Sequence, residues 1–147
     1  AEHPQVVAEL RHAYEQWFQD VSETRPNNYD PPPIYLGTEH ESPTVLNRND
    51  RRPHGEDSYS KDDTHGHWVV RFTRDSGSYT VKAELRETQS EAQVVLACGT
   101  RCWTQTIPAG SDTATFENVE VPPEQANLSL WGRDSAGDFA ARYVLVS

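Results

Sequence analysis

The chain has 147 residues, of which 35% are hydrophobic and 24% are charged, and its formal net charge is −10. A chain of this length is about the size of one domain and buries enough surface to form a core without disulfides or metals. Its negative charge repels polyanions, which disfavours nucleic-acid binding. No apolar run approaches the roughly 18–20 residues that span a bilayer, so the sequence predicts no membrane segment.

The N-terminal segment predicts one amphipathic helix, from His3 to about Glu23. Pro4 suits the first turn of a helix, and apolar residues recur at three- and four-residue steps. They form a single stripe that consists of Val6, Val7, Leu10, Tyr14, Trp17, Phe18 and Val21. No second helical pattern follows, so we expect the stripe to be buried against a neighbouring body.

Turn chemistry after this helix predicts a domain boundary. Residues 25–28, Arg-Pro-Asn-Asn, end the helix pattern, and three prolines follow at 31–33. We therefore assign residues 1–28 to a helix and linker, the end of a preceding domain, and residues 29–147 to a β domain. The chain contains no methionine, and we expect it to be a piece of a longer protein.

From Pro33 onward the hydrophobic period changes from 3.6 to 2, which is typical of strands. The strand patterns cover residues 33–37, 43–46, 68–73, 79–85, 93–97, 101–107, 113–121, 127–132 and 139–146. Turn signals separate them about every 8–12 residues, a spacing typical of sandwiches. The sequence therefore predicts a mainly β fold, an antiparallel two-sheet sandwich that is jelly-roll-like and preceded by the one helix.

Two finer strand predictions follow from the alternation. The strongest pattern, residues 68–73 and 79–85 around a turn at 75–78, predicts an antiparallel hairpin. In residues 113–121 the phase slips, because Phe116 has one parity and Val119 the other. A β-bulge near residues 117–118 reconciles the two.

Two cysteines, Cys98 and Cys102, lie in the short segment Cys-Gly-Thr-Arg-Cys between two strand patterns. A tight hairpin there would bring their Cα atoms within the roughly 4.4–6.8 Å that a disulfide needs, and a disulfide would indicate an oxidising compartment. Two free thiols are the other interpretation. The pair alone is a poor zinc site.

The polar segment from Asn47 to Thr64 is long for a compact domain, and loops longer than about 12–15 residues are often functional. Within it, Arg51 and Arg52 are candidate ligand-binding residues. A solvated basic patch inside an acidic loop is the simpler interpretation of the same residues.

Candidate metal ligands lie in this segment and just after it. Asp57, Asp62 and Asp63 offer oxygen ligands for calcium. His65 and His67 are two residues apart, so on a strand both would point to one side and share a metal. Because the sequence has neither an EF-hand spacing nor a positioned third ligand, a hydrated acidic loop with two surface histidines is the alternative.

Two tryptophans are candidate stacking platforms for a sugar ring. Leu128 and Leu130 have the parity of the core, which places Trp131 on the opposite face of its strand. An exposed indole there suits the C–H face of a sugar, although a contact with another sheet or domain suits it as well. Trp103, next to Cys102, is a similar candidate.

Three segments resemble known proteins. His-Pro-Gln-Val-Val-Ala-Glu-Leu at residues 3–10 and Tyr-Glu-Gln-Trp-Phe-Gln-Asp-Val at residues 14–21 resemble the helix near the C-terminus of bacterial arylsulfatase-type sulfatases. Glu-Ser-Pro-Thr-Val-Leu-Asn-Arg-Asn-Asp at residues 41–50 resembles the start of a β-rich extension that follows this helix in some members. Residues 68–72 and 77–81 are similar to a strand pair of carbohydrate-associated sandwich modules.

The resemblance implies a sulfatase parent and also implies that this piece is not its active site. Sulfatases convert the Cys or Ser of a Cys/Ser-x-Pro-x-Arg motif to formylglycine and bind calcium beside it. Here Gly99 follows Cys98 and Trp103 follows Cys102, so neither cysteine matches the motif. Formylglycine and calcium are therefore expected only in a separate catalytic domain, and this chain is expected to have no catalytic residue and no cofactor.

We therefore expect a non-catalytic C-terminal accessory domain of a periplasmic or extracellular sulfatase. Its partner would be the catalytic domain of the same protein, on which it packs and whose substrate access it helps to shape. The alternative is an autonomous carbohydrate-binding module. Neither function involves nucleic acid or a membrane.

Overall fold

A computed structural model describes residues 3–24, 32–53, 64–74 and 78–147. The chain divides into two compact units, Ala1–Pro32 and Pro33–Ser147. The boundary that the sequence suggests, between residues 28 and 29, lies outside the described residues.

The first unit contains helix α1, Pro4–Ser22. Its bounds agree with the helix that the apolar periodicity predicts. Arg11 and Glu15 form an ion pair of 3.0 Å along the helix, and the rings of Tyr14 and Trp17 lie 5.7 Å apart on the apolar stripe. No described residue of α1 is buried.

The second unit consists of strands and one short 3-10 helix, Arg48–Asp50. The strands that the structure describes are β1 (Ile34–Leu36), β2 (Thr44–Asn47), β3 (His67–Phe72), β4 (Ser78–Glu84), β5 (Ala92–Cys98), β6 (Arg101–Ile107), β7 (Thr113–Glu120), β8 (Gln125–Asp134), β9 (Gly137–Ala140) and β10 (Tyr143–Val146). They form two sheets. One has the order β1-β3-β8-β5-β6, with β9 also paired to β8, and the other has the order β2-β10-β4-β7.

The core lies between the inner faces of these sheets. Side chains alternate along a regular strand, as in β4, where Tyr79, Val81 and Ala83 are buried and the residues between them are not. Trp68 is fully buried, and its Nε1 donates a hydrogen bond of 2.7 Å to the carbonyl of Asn47. The predicted mainly β, two-sheet architecture after one helix is confirmed, while the jelly-roll connectivity stays a prediction.

Not every strand pair is antiparallel. Strand β1 pairs with β3 in parallel, with Leu36 opposite Phe72. The residues between these two strands allow such a crossover, since a parallel pair needs a connection of about a dozen residues or more.

The predicted hairpin of residues 68–73 and 79–85 is wrong. Strand β3 pairs with β1 and β8 in the six-stranded sheet, whereas β4 pairs with β10 and β7 in the other sheet. Both strands bury one face in the same core, so their alternation is the same whether they pair or face each other. The predicted turn residues 75–77 lie outside the described residues.

The predicted bulge in β7 is confirmed. Val119 pairs with Tyr79 and Phe116 pairs with Val81, so three steps along β7 match two steps along β4. Asn118 takes the extra position with a φ of 55°, a left-handed conformation that asparagine tolerates better than most residues. The bulge allows Phe116 and Val119 to be buried on the same side despite their opposite parity.

The segment predicted as one strand over residues 139–146 is two strands. Strand β9 pairs with β8 in the six-stranded sheet, and β10 pairs with β2 and β4 in the other. The chain changes sheets at Ala141 and Arg142, where the Arg142 N–H donates to the carbonyl of Glu84 at 2.7 Å. Phe139 and Ala141 are buried at odd positions and Val144 and Val146 at even positions, so the alternation slips between the two strands. A bulge within one strand, as in β7, would produce the same slip, so the sequence pattern does not show that the chain changes sheets.

Candidate functional site

The outer face of the six-stranded sheet carries the indole of Trp131. In β8, Leu128 and Leu130 are buried in the core, whereas Trp131 is half-buried on the other side. The placement of Trp131 on the face opposite the core, which alternation predicts, is confirmed.

Strand pairing brings other side chains onto the same face. Trp131 lies directly opposite Val95 of β5 and Ala140 of β9. Arg133, two residues further along β8, lies opposite Asp138 of β9. We call this surface the Trp131 face; its residues are His65, Gln93, Val95, Thr104, Trp131, Arg133, Asp138 and Ala140.

His65 joins this face from the turn that precedes β3. Its ring meets Trp131 edge to face, with the ring centroids 4.7 Å apart and the planes at 67°. On the other side, His65 Nε2 lies 3.2 Å from Asp138 Oδ2. The imidazole therefore contacts both the indole and the carboxylate, which orients the indole by an aromatic contact of a favourable geometry.

The Asp138 carboxylate is held in place by two neighbours, Arg133 and His65. Arg133 donates from Nη2 to Asp138 Oδ2 at 2.9 Å and from Nε to Oδ1, a bidentate pair. The Arg133 guanidinium, and to a smaller extent His65, lowers the pKa of the Asp138 carboxyl, while Asp138 raises the pKa of Arg133. Asp138 is thus ionised at neutral pH and is better suited to accept hydrogen bonds from a ligand than to deliver a proton.

Trp103 is placed differently from the prediction. It pairs with Leu96 in β6, and therefore lies on the core side of the sheet, where it packs partly against the core. Since β6 is an edge strand, Trp103 borders an open depression of about 340 Å³ beside Asn118 and Glu120. The two tryptophans do not share a face, and Trp103 is no sheet-face platform like Trp131.

The structure contradicts the disulfide. Cys98 is buried and Cys102 is exposed, and both are free thiols. Cys98 pairs with Arg101 and Cys102 pairs with Ala97 across the β5–β6 hairpin. Because neighbouring residues of a strand point to opposite faces, the two sulfur atoms lie on opposite sides of the sheet.

Of the predicted metal ligands, the structure describes only His65 and His67, and it does not support a shared metal site for them. Asp57, Asp62 and Asp63 lie outside the described residues. His65 is in a turn rather than on a strand, so it does not extend the face of His67, the first residue of β3. Within the described ranges, no three His, Cys, Asp or Glu side chains come together as a metal site.

Arg51 and Arg52 lie at the start of the segment that the sequence singled out. The Arg51 guanidinium lies over the Trp68 ring at 6.0 Å, a cation–π contact at the rim of the core. Arg52 is exposed, and its backbone pairs with His67 in an isolated bridge. Ligand binding by either arginine stays a prediction.

Sequence reasoning missed two sets of residues. Arg133 lies two residues from Trp131, and this spacing alone indicates that both side chains share one face of the strand. Its partner Asp138 is recognisable only from the pairing of β8 with β9. A second open depression, about 520 Å³ in volume, is lined by Asn47, Arg48, Asn49, Arg142 and Tyr143. Residues from two separate segments meet there because β10 pairs with β2, and no local pattern indicates it.

The apolar stripe of α1 is a second candidate surface. Leu10 is 67% exposed and Trp17 is 57% exposed. The other exposed apolar residues of the helix are Val6, Val7, Tyr14, Phe18 and Val21. The whole stripe that the periodicity defines is therefore accessible to solvent.

Comparisons with known proteins do not identify the chain. No protein-family model, no curated protein and no solved structure matches it. Among the described residues, no helix has the length and apolarity that crossing a bilayer requires.

Proposed function

We propose that this chain is a non-catalytic accessory domain of a periplasmic or extracellular sulfatase, and that helix α1 packs on the catalytic domain of the same protein. The observation that supports this proposal is the exposed apolar stripe of α1. The resemblance of residues 3–10, 14–21 and 41–50 to arylsulfatase-type sulfatases supports the identity of the partner.

We expect the exposed apolar stripe of α1 to pack against the surface of a partner. Scattered apolar residues are normal on protein surfaces, but contiguous large patches mark interaction sites. Each large apolar side chain that becomes fully buried contributes about 1.5–3 kcal/mol. The stripe includes Leu10, Trp17 and Phe18, so its burial against another domain would be strongly favourable.

The chemistry of the reaction belongs to the partner in this proposal. Neither cysteine stands in a Cys/Ser-x-Pro-x-Arg motif, so formylglycine and calcium would be supplied by the catalytic domain. The contribution of this chain would be to cover that domain and to shape the approach of the sulfate ester.

The coding sequence upstream of residue 1 provides the first test. We expect the reading frame to continue upstream into a Cys/Ser-x-Pro-x-Arg motif, and we expect the chain alone to hydrolyse no aryl sulfate. Turnover of p-nitrophenyl sulfate by the isolated chain, or an upstream frame without the motif, would contradict the proposal.

The docking step is tested by charge insertion into the stripe. We expect Leu10→Asp with Trp17→Asp to weaken association with the separately produced upstream region by at least about 30-fold, the loss typical of removing an interface hot spot. Co-elution and calorimetry measure it. His12→Asp, on the opposite side of the helix, is the matched control and should bind like the wild type; equal binding by all variants would exclude α1 as the contact.

A further inference from the structure

We propose that the Trp131 face binds an uncharged pyranose unit of a glycan. The proposal goes beyond the docking function and does not depend on it, because it concerns a different surface and different residues.

The indole of Trp131 provides the apolar part of such a site. It is half-buried on the sheet, so one part of the ring is supported by the protein and the rest remains accessible. Val95 and Ala140 on its two sides are aliphatic, so apolar side chains flank the indole on both neighbouring strands. The C–H face of a sugar ring packs on an aromatic surface of this kind.

Hydrogen-bonding groups lie beside Trp131 on the same face of the sheet. Arg133 is two residues from Trp131, a separation of about 6.6–6.8 Å along a strand, which is comparable to a sugar ring with its hydroxyl groups. Its side chain is 66% exposed and that of Asp138 is 22% exposed. Gln93 lies opposite Arg133 on β5 and is exposed as well. Together they offer carboxylate acceptors and guanidinium and amide donors to vicinal hydroxyls.

The electrostatics of the face select the class of ligand. Arg133 and Asp138 form a bidentate pair, so their charges cancel. The chain as a whole carries a formal charge of −10, which opposes an anionic ligand. A neutral, hydroxyl-rich ring therefore fits this face better than a sulfate or carboxylate group does.

The side chains are held in position before any ligand binds. Asp138 is fixed by Arg133, and His65 contacts both Asp138 and the Trp131 ring, at 3.2 Å and 4.7 Å respectively. A site whose side chains are already ordered loses less conformational entropy on binding. This mutual support distinguishes the Trp131 face from a lone exposed tryptophan.

The test uses the full chain on an array of immobilised neutral polysaccharides (β-glucan, xylan, mannan and galactan) and their sulfated forms, followed by calorimetry with oligosaccharides of the best binder. We expect binding to at least one neutral polysaccharide. Trp131→Ala should weaken it about 30-fold, as truncation of a hot-spot aromatic residue typically does. Arg133→Gln and Asp138→Asn should each weaken it about tenfold by removing charge-assisted hydrogen bonds.

Trp103→Ala is the matched control, because it removes an indole from the core side of the same sheet, and it should retain wild-type affinity. Thermal unfolding reports whether each variant is folded. If Trp131→Ala is unfolded, the glycan affinity of Arg133→Gln, a substitution at an exposed residue, tests the proposal instead. Binding that survives in Trp131→Ala, binding confined to the sulfated forms, or no binding to any polysaccharide would overturn the proposal. The helix variants Leu10→Asp and Trp17→Asp should leave glycan binding unchanged, so the two proposals fail independently.

Discussion

At the scale of single residues, Asp134 connects three parts of the sandwich. It accepts from Arg86 at 2.7 and 2.8 Å, from the Gln89 N–H at 2.8 Å and from the Ala136 N–H at 2.9 Å. The Arg86 guanidinium lies 4.3 Å from the centroid of the Phe139 ring. Although Asp134 is only three residues from Trp131, it faces these structural partners, and its side chain is inaccessible to solvent.

This arrangement predicts a pH-dependent stability. The hydrogen bonds from Arg86, together with those from the Gln89 and Ala136 backbone, lower the pKa of Asp134. The stabilisation is therefore complete above the ordinary Asp pKa of about 3.9 and is lost as the pH falls below it. We expect Asp134→Asn to be less stable than the wild type at neutral pH, with a difference that narrows on acidification.

Urea unfolding between about pH 6 and pH 3 measures this difference, since the denaturation midpoint tracks stability. Asp112→Asn, at an exposed aspartate, is the control and should follow the wild-type curve. Wild type and Asp134→Asn curves that run parallel across this range would show that Asp134 does not contribute as described.

At the scale of elements, the β5–β6 hairpin decides the state of the two cysteines. Gly99 and Thr100 form its two-residue turn, and Gly99 has a φ of 58°, which suits glycine. The turn sets the register, and the register places Cys98 inward and Cys102 outward. The sequence spacing permitted a disulfide, and only the pairing of the strands excludes it.

Thiol labelling checks this assignment. Burial raises the pKa of Cys98 to about 11, so its reactive thiolate is scarce at neutral pH. We expect one thiol to react rapidly with a maleimide and the other only on unfolding. Cys102→Ser should abolish the rapid reaction and Cys98→Ser the slow one. Two unreactive sulfur atoms that become reactive only after reduction would instead indicate the disulfide.

At the scale of the whole molecule, the sandwich has a core of its own. The buried apolar cluster of the second unit consists of residues between Leu36 and Val146. A contiguous core of this kind is what allows a domain to fold independently. The unit Pro33–Ser147 therefore has the features of an autonomous domain, while α1 presents an unburied apolar stripe.

Truncation tests this independence. We expect residues 33–147, produced without the preceding segment, to unfold cooperatively and with a midpoint within about 4 °C of that of the full chain, the shift that roughly 1 kcal/mol produces in a domain of this size. Circular dichroism during heating measures it. A fragment that is unfolded, or that melts far lower, would show that residues 1–32 contribute to the core.

Much of the fold was accessible from local pattern alone. The bounds of α1, the positions of most strands, the outward Trp131 and the bulge at Asn118 all follow from periods of 3.6 and 2. These features depend on which residues are buried in the core, and the periodicity of apolar and polar residues along the chain indicates this directly. The sequence predicted only part of the candidate site, because it predicted the outward position of Trp131 but not the position of Asp138 on the same face.

What the sequence by itself determined about this protein is the type of each element and the face that it buries. What only the tertiary structure decided is which strands are neighbours: that β3 and β4 belong to different sheets, that the segment 139–146 changes sheets, and that Asp138 lies beside Arg133. The physical reason is that burial is encoded residue by residue, whereas pairing depends on backbone hydrogen bonds between distant segments, and the local period of the side chains does not specify which segments these are.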